Sequence, residues 1–141
     1  MDKIRLELFD SNANYSNHID LIREWIKKRN MDESFILELP VFGFVCYYDE
    51  LPIAMAFIRR CESSVMIFDS LIADPESDPI IRDQCVDVLV SKILSEAKKK
   101  RIDKVIAFSN QKRTLDRAFR HGFIKTDYQV ITLNLKDKES L

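Results

Sequence analysis

Apolar and polar side chains alternate from Lys3 to Phe9, with Ile4, Leu6 and Leu8 on one side and Arg5 and Glu7 on the other. This period of two predicts a half-buried β-strand. Asn12, Asn14 and Ser16 break the pattern with residues suited to cap a helix. The period then lengthens. Between Asn17 and Asn30, Ile19, Ile22 and Ile26 recur at three and four residues, and Leu21 and Trp25 widen the stripe, which predicts an amphipathic helix. A short helical or irregular stretch is expected from Glu33 to Leu39.

Three strands are expected next. Gly43 to Tyr48 is the first, and Asp49-Glu50 suits a tight hairpin turn into the second, Pro52 to Arg60. Ser63-Ser64 turns the chain into Val65 to Ala73, whose sequence VMIFDSLIA is apolar except at Asp69 and Ser70. Such a strand is expected to be buried on both faces, at the centre of a sheet. A long helix follows. Asp78 suits its N-cap and Pro79 its first position, Val86, Leu89, Val90, Ile93, Leu94 and Ala97 form its apolar face, and Lys98 to Arg101 close it at the negative end of its dipole. Lys104 to Phe108 predicts a short strand, parallel to Val65–Ala73 because a helix intervenes. Gln111 to His121 predicts a helix with Leu115, Ala118 and Phe119 inward, stopped by Gly122 in a left-handed conformation. Tyr128 to Leu135 predicts a last strand, before a charged, frayed tail from Lys136. The order predicts an α/β fold: a mixed sheet of six or seven strands flanked by helices on both faces.

Composition narrows the class. The chain has 141 residues with 46% hydrophobic and 32% charged side chains, which suits one globular domain spanning the whole sequence. Two glycines and four prolines exclude collagen-like or linker-like sequence. A formal net charge of -1 supplies no overall basic field for nucleic acid. No apolar run approaches a membrane span, and charges stand in MDKIRLELFD where a signal peptide has its apolar core. Cys46, Cys61 and Cys85 are widely spaced and form no CxxC pair, which fits a reducing cytoplasm and argues against a disulfide frame or a metal site.

Three segments carry a resemblance to the GNAT family of N-acyltransferases. Ser70-Leu71-Ile72-Ala73-Asp74-Pro75-Glu76 looks like the family's Leu-x-Val-x-Pro strand end, Ser95 to Arg101 running into Ile102-Asp103-Lys104-Val105 looks like its helix-to-strand junction, and His121-Gly122-Phe123 looks like its closing Gly-Phe. Glu38-Leu39-Pro40, Phe57-Ile58-Arg59-Arg60 and Asp69-Ser70-Leu71-Ile72 before Pro75-Glu76 look most like a divergent branch encoded by tailed bacteriophages.

The resemblance implies a fourth and fifth strand that run parallel and splay, with the pantetheine arm of acetyl-CoA in the gap. Asp69 would be the general base toward an amine acceptor, its proton affinity raised by burial, and an amide near Leu71, Ile72 or Ala73 would polarise the thioester carbonyl. Arg82, Asp83, Gln84 and Cys85 fall on the diphosphate loop, and Asn110 where the family contacts pantetheine. Gln84 and Val86 occupy the family's glycine positions, and Ala118, with Phe119 beside it, that of the tyrosine that protonates the leaving thiolate. The implied cosubstrate is acetyl-CoA, with no metal. The alternative is a GNAT-fold phage protein without catalysis, acting in virion assembly or as an accessory protein through contacts with phage proteins or a second copy.

Each candidate also has an ordinary reading. Asp69 can be a hydrogen-bonded or solvent-facing strand residue, Arg82 an ordinary charge in a first helical turn, and Cys85 a small core residue. Asn110 can be the N-cap of the helix that follows it, and His121 a dipole-stabilising residue at that helix's end. Lys112, Arg113, Arg117 and Arg120 can be a solvated face rather than a phosphate site.

Overall fold

The elements of the computed structural model follow the hydrophobic pattern closely: β1 (Ile4–Leu8), α1 (Asn17–Lys28), α2 (Ser34–Leu37), β2 (Phe42–Tyr48), β3 (Leu51–Arg60), β4 (Val65–Ala73), α3 (Pro79–Lys99), β5 (Lys104–Ala107) and α4 (Lys112–Arg120). The structure describes residues 3–9, 17–40 and 42–135. The expected caps Asn12, Asn14 and Ser16 and the tail from Lys136 lie outside the described residues.

The strands form one sheet in the order β1-β2-β3-β4-β5, antiparallel except for the β4–β5 pair. Asp49 and Glu50 take φ of 50° and 66°, the two left-handed conformations that a tight two-residue hairpin between β2 and β3 requires. The two sheet faces carry separate cores. Phe44, Cys46, Ala54, Ala56, Ile58 and Met66 meet Cys85, Val86, Leu89, Val90, Ile93 and Ala97 of α3. On the opposite face Val45, Met55, Phe57 and Ile72 meet Ile22, Trp25 and Ile26 of α1. Each fully buried Val, Ile, Leu, Met or Phe side chain among them contributes on the order of 2 kcal/mol. Cys46 and Cys85, both fully buried, face each other across the β2–α3 contact. The hydrogen bond between the two thiols, then burial, pushes the Cys46 thiol well above its ordinary range.

Helix α3 begins and ends as its sequence predicts. The Asp78 side chain caps it, Pro79 opens it, and Lys98 to Arg101 are exposed at its end. Gly122 has φ of 96°, the left-handed stop expected after α4.

Three expectations need correction. The sheet has five strands among the described residues, not six or seven, because residues 128–134 form no strand; alternation makes a strand only where a neighbour takes its hydrogen bonds. The central and most buried strand is β3, with β4 next to the edge, because no described strand pairs beyond β5, which is itself only four residues long and covers half of β4. Phe119 is exposed rather than inward. The chain forms two compact units, Met1–Ala107 and Phe108–Leu141, the sheet with α1 to α3 belonging to the first and α4 to the second.

Candidate functional site

Among the described residues of the first unit, two strands part beside a carboxylate at one place. β5 pairs with β4 over four residues, from Val65↔Lys104 to Phe68↔Ala107. β4 then continues through residues 69–73 with β3 on one side and no β5 partner on the other. The β3–β4 register slips at the same point: Ile58 pairs with Phe68 and Phe57 with Ser70, so Asp69 is skipped. It is the extra residue of a β-bulge, a device that re-aims side chains and is enriched beside active sites.

Asp69 is half-buried and partnered. Arg59 Nε donates to its Oδ2 at 2.8 Å, Arg59 Nη2 approaches the same oxygen at 2.6 Å, and Ser70 Oγ donates to Oδ1 at 3.3 Å. Arg59 Nη2 also donates to the Glu38 carbonyl just after α2, which puts the carboxylate on the α1–α2 side of the sheet. Asp69 is therefore not a lone carboxylate in an apolar strand; a guanidinium holds it.

The amides beyond the bulge follow from the ladder. Asp74 N donates to Ile53 O of β3, and strand amides alternate in direction. Ile72 N thus points toward β3, while Leu71 N and Ala73 N point to the open side of β4. Of the three strand positions expected to polarise a carbonyl, Leu71 and Ala73 have the required direction.

The start of α3 is different. Asp78 Oδ1 accepts from Ile80 N at 2.8 Å and Ile81 N at 3.3 Å, Arg82 N donates to Asp78 O, and Pro79 has no N–H. Each amide of the first turn already has a partner. A helix start binds phosphate through unpaired amides, and a carboxylate of this chain holds them instead. Arg82 turns back onto its own loop, with Nη1 on the carbonyls of Asp74, Pro75 and Ser77 at 3.1–3.4 Å. Asp83 is half-buried and Gln84 exposed, while Cys85 and Val86 are buried in the core, so Cys85 offers a ligand no thiol.

Sequence reasoning missed two arginines. Arg59 carries no local signal of a role, and its partner is evident only once the β3–β4 register is known. Arg29, just after α1, donates through Nε and Nη2 to Ala73 O at 3.0 and 2.8 Å. It sits next to Arg82, which holds the following carbonyl, and burial, then the Arg82 charge, lowers its proton affinity. Lys28 adds an ion pair to Glu76 at 2.7 Å. The end of α1 thus clamps the β4–α3 loop.

Asn110 is exposed in the second unit and is not a helix cap: Gln111 holds the N-cap of α4, its N–H donating to Ser109 Oγ at 3.1 Å. His121 is the C-cap residue. Lys112, Arg113 and Arg120 are exposed, Lys112 paired with Asp116 at 2.7 Å. No group of His, Cys, Asp and Glu among the described residues could hold a metal. No described helix is long and apolar enough to cross a membrane.

No family model and no curated protein matches the chain. Solved structures do match. A GNAT-family acetyltransferase from Streptococcus pneumoniae TIGR4 superposes with a TM-score of 0.68 at 11% identity, over 94% of this chain and 98% of that one. An aminoglycoside acetyltransferase, meta-AAC0020, from an uncultured soil metagenomic sample, solved with sisomicin, gives 0.66 at 15% identity, over 94% and 97%. The fold is that of the GNAT acetyltransferases. Aminoglycoside N-acetyltransferase AAC(6')-Iy, solved with CoA, shares it at a TM-score of 0.59 and 15% identity, over 92% and 98% of the two chains. Identities this low establish the GNAT fold and leave the chemistry to the residues.

Proposed function

We propose that the chain is an acetyl-CoA-dependent N-acetyltransferase that acts on an amine. One observation carries this reading: β4–β5 pairing stops at Phe68↔Ala107, at the residue before the Asp69 bulge, which leaves an open strand edge next to a carboxylate. Leu71 N and Ala73 N on that edge would hold the pantetheine arm and the thioester oxygen by strand-like hydrogen bonds. Asp69, directly or through a water, would take the proton of the attacking amine, with Arg59 fixing its orientation. The nitrogen forms a bond to the acetyl carbon, the C–S bond breaks, and the CoA thiolate leaves. Solvent would protonate it, since neither Ala118 nor Phe119 has a proton to give. No covalent enzyme intermediate is required.

A second reading has its own observation. The Asp78 carboxylate holds the α3 amides and Arg82 is spent on its own loop, so the diphosphate part of CoA meets no ready site. That favours a GNAT-fold protein without catalysis, serving through protein contacts. The phrases around Glu38, Phe57 and Asp69 would make it a bacteriophage protein, active in the host cytoplasm or the virion. Calorimetry with acetyl-CoA at high micromolar concentration separates the two. A heat of binding supports the enzyme; none, from folded protein, supports the scaffold.

A further inference from the structure

Asp69 and Arg59 form a fixed dipole one residue past the end of the β4–β5 pairing. Arg59 is held at three points: Nε and Nη2 lie on Asp69 Oδ2, and Nη2 also donates to the Glu38 carbonyl. Its remaining nitrogen, Nη1, donates to no described residue. On the carboxylate, Oδ1 receives the Ser70 hydroxyl alone, at 3.3 Å. Solvent reaches both partners, since the Arg59 and Asp69 side chains are 48% and 26% exposed. A donor nitrogen and an acceptor oxygen thus stand open on the two sides of one ion pair.

This arrangement discriminates among amines. A solitary carboxylate would attract any cation, and polycations most. Here the guanidinium offsets the charge of Asp69, so an approaching ammonium is repelled by Arg59 while Asp69 attracts it. A molecule with an ammonium and a carboxylate a few bonds apart avoids that opposition. Its ammonium donates to Asp69 Oδ1, and its carboxylate accepts from Arg59 Nη1 in a charge-assisted hydrogen bond. A guanidinium suits this second role because its N–H groups are fixed in a plane. Both residues are already held by their neighbours, so little ordering is left to be done on binding.

We propose that the Asp69–Arg59 pair is a zwitterion site and that the acceptor amine belongs to a free amino acid. The acceptor role rests on the acetyltransferase reading; the binding of the zwitterion does not. The bound ammonium first releases one proton to solvent. Its nitrogen then forms the bond to the acetyl carbon while Asp69 takes a second proton and the C–S bond breaks. The products are an N-acetyl amino acid and the CoA thiolate. Arg59 holds the carboxylate throughout and so determines specificity. Polyamines and amino sugars, which carry amines without a carboxylate, are poor acceptors.

The test uses the full chain and compares each common L-amino acid with its carboxamide, which keeps the ammonium and side chain but loses the carboxylate. With acetyl-CoA, followed by thiol release, the preferred amino acid should exceed its carboxamide about 10- to 100-fold in kcat/KM. Arg59→Gln should bring that ratio to within about threefold of one, mainly through KM for the amino acid. Arg59→Lys, which keeps the charge and loses the fork, should fall between. A purely structural role for Arg59 would lower both compounds together and leave the ratio. Binding is read separately, in nitrogen–proton correlation spectra of the isotope-labelled chain titrated with the same compounds to about 10 mM. The Ser70 backbone N–H should shift with the amino acid, and neither with its carboxamide nor in the Arg59→Gln chain. Those shifts without acetyl transfer to any compound would remove the acetyltransferase reading and leave the zwitterion site standing. Carboxamides that bind or react as well as their acids, a preference that survives Arg59→Gln, or no shift with any amino acid would each overturn the proposal.

Discussion

Replacing Asp78 by alanine should make the protein less stable and acetyl-CoA tighter. In the native chain its Oδ1 accepts from Ile80 N and Ile81 N. Losing an N-cap of this kind costs about 1 kcal/mol, within a range of roughly 0.5–2. For a chain of this length that lowers the thermal midpoint by about 3–5 °C per kcal/mol. The same change frees two amides and removes a negative charge from the place a diphosphate would take. The charge alone is worth roughly 0.3–1 kcal/mol at a helix start, and hydrogen bonds from freed amides to a phosphate add of order 1 kcal/mol more. Together they predict a dissociation constant lower by about 9- to 30-fold. Titration calorimetry in low salt, with differential scanning calorimetry on the same samples, measures both quantities, and the affinity gain should shrink in about 0.5 M salt. Asp78→Ser keeps a capping oxygen without the charge, so it should retain most of the stability and gain only the charge part of the affinity. A lowered midpoint with affinity unchanged within twofold would refute the reasoning, since the diphosphate would then not use the start of α3.

Asp69→Asn should reduce acetyl transfer to an amine at least 100-fold while leaving acetyl-CoA affinity within about twofold, measured by turnover and calorimetry; equal losses of both would make the residue structural. Arg29→Gln releases the Ala73 carbonyl and should raise amide exchange in residues 73–78, leaving the α3 core protected. Glu7 has its carboxyl lowered first by the Arg5 hydrogen bond and then by Tyr47, against burial, so its contribution is complete above its unfolded-state value and disappears as pH falls below about 4. A Glu7→Gln chain should accordingly lose less of its thermal midpoint than the wild type on acidification from about pH 5 to 3. Gly43→Ala should lower stability by about 1–3 kcal/mol in urea unfolding, because the added methyl would stand 2.5 Å from the Ala56 carbonyl and 2.6 Å from the Phe57 ring.

The sequence made the helices and turns legible because their signals are local. Asp78 and Pro79 open α3, Lys98 to Arg101 close it, Asp49-Glu50 makes the hairpin and Gly122 stops α4, each within a few residues of the element it controls. The features that shape the site are not local. Nothing in VMIFDSLIA marks Asp69 as the bulged residue, because the slip belongs to the pairing with β3 and not to β4. Arg59 becomes the Asp69 partner through that register, and Arg29 reaches Ala73 across 44 positions of sequence. Asp78 was legible as a cap, but its competition with a bound anion depends on where its oxygen points. How much of β4 is covered depends on how soon β5 ends, which the apolar content of β4 does not encode.

Cys46 and Cys85 turn the contact between β2 and α3 into a clock. Both thiols are sealed in that contact, whereas Cys61, just beyond β3, is half-buried. A thiol reagent added to the native protein would therefore modify Cys61 first and report its accessibility. The two sealed sulfurs would react only in molecules whose long helix has lifted from the sheet. Their labelling rate, followed by mass, measures the frequency of that opening under native conditions, with no substitution made.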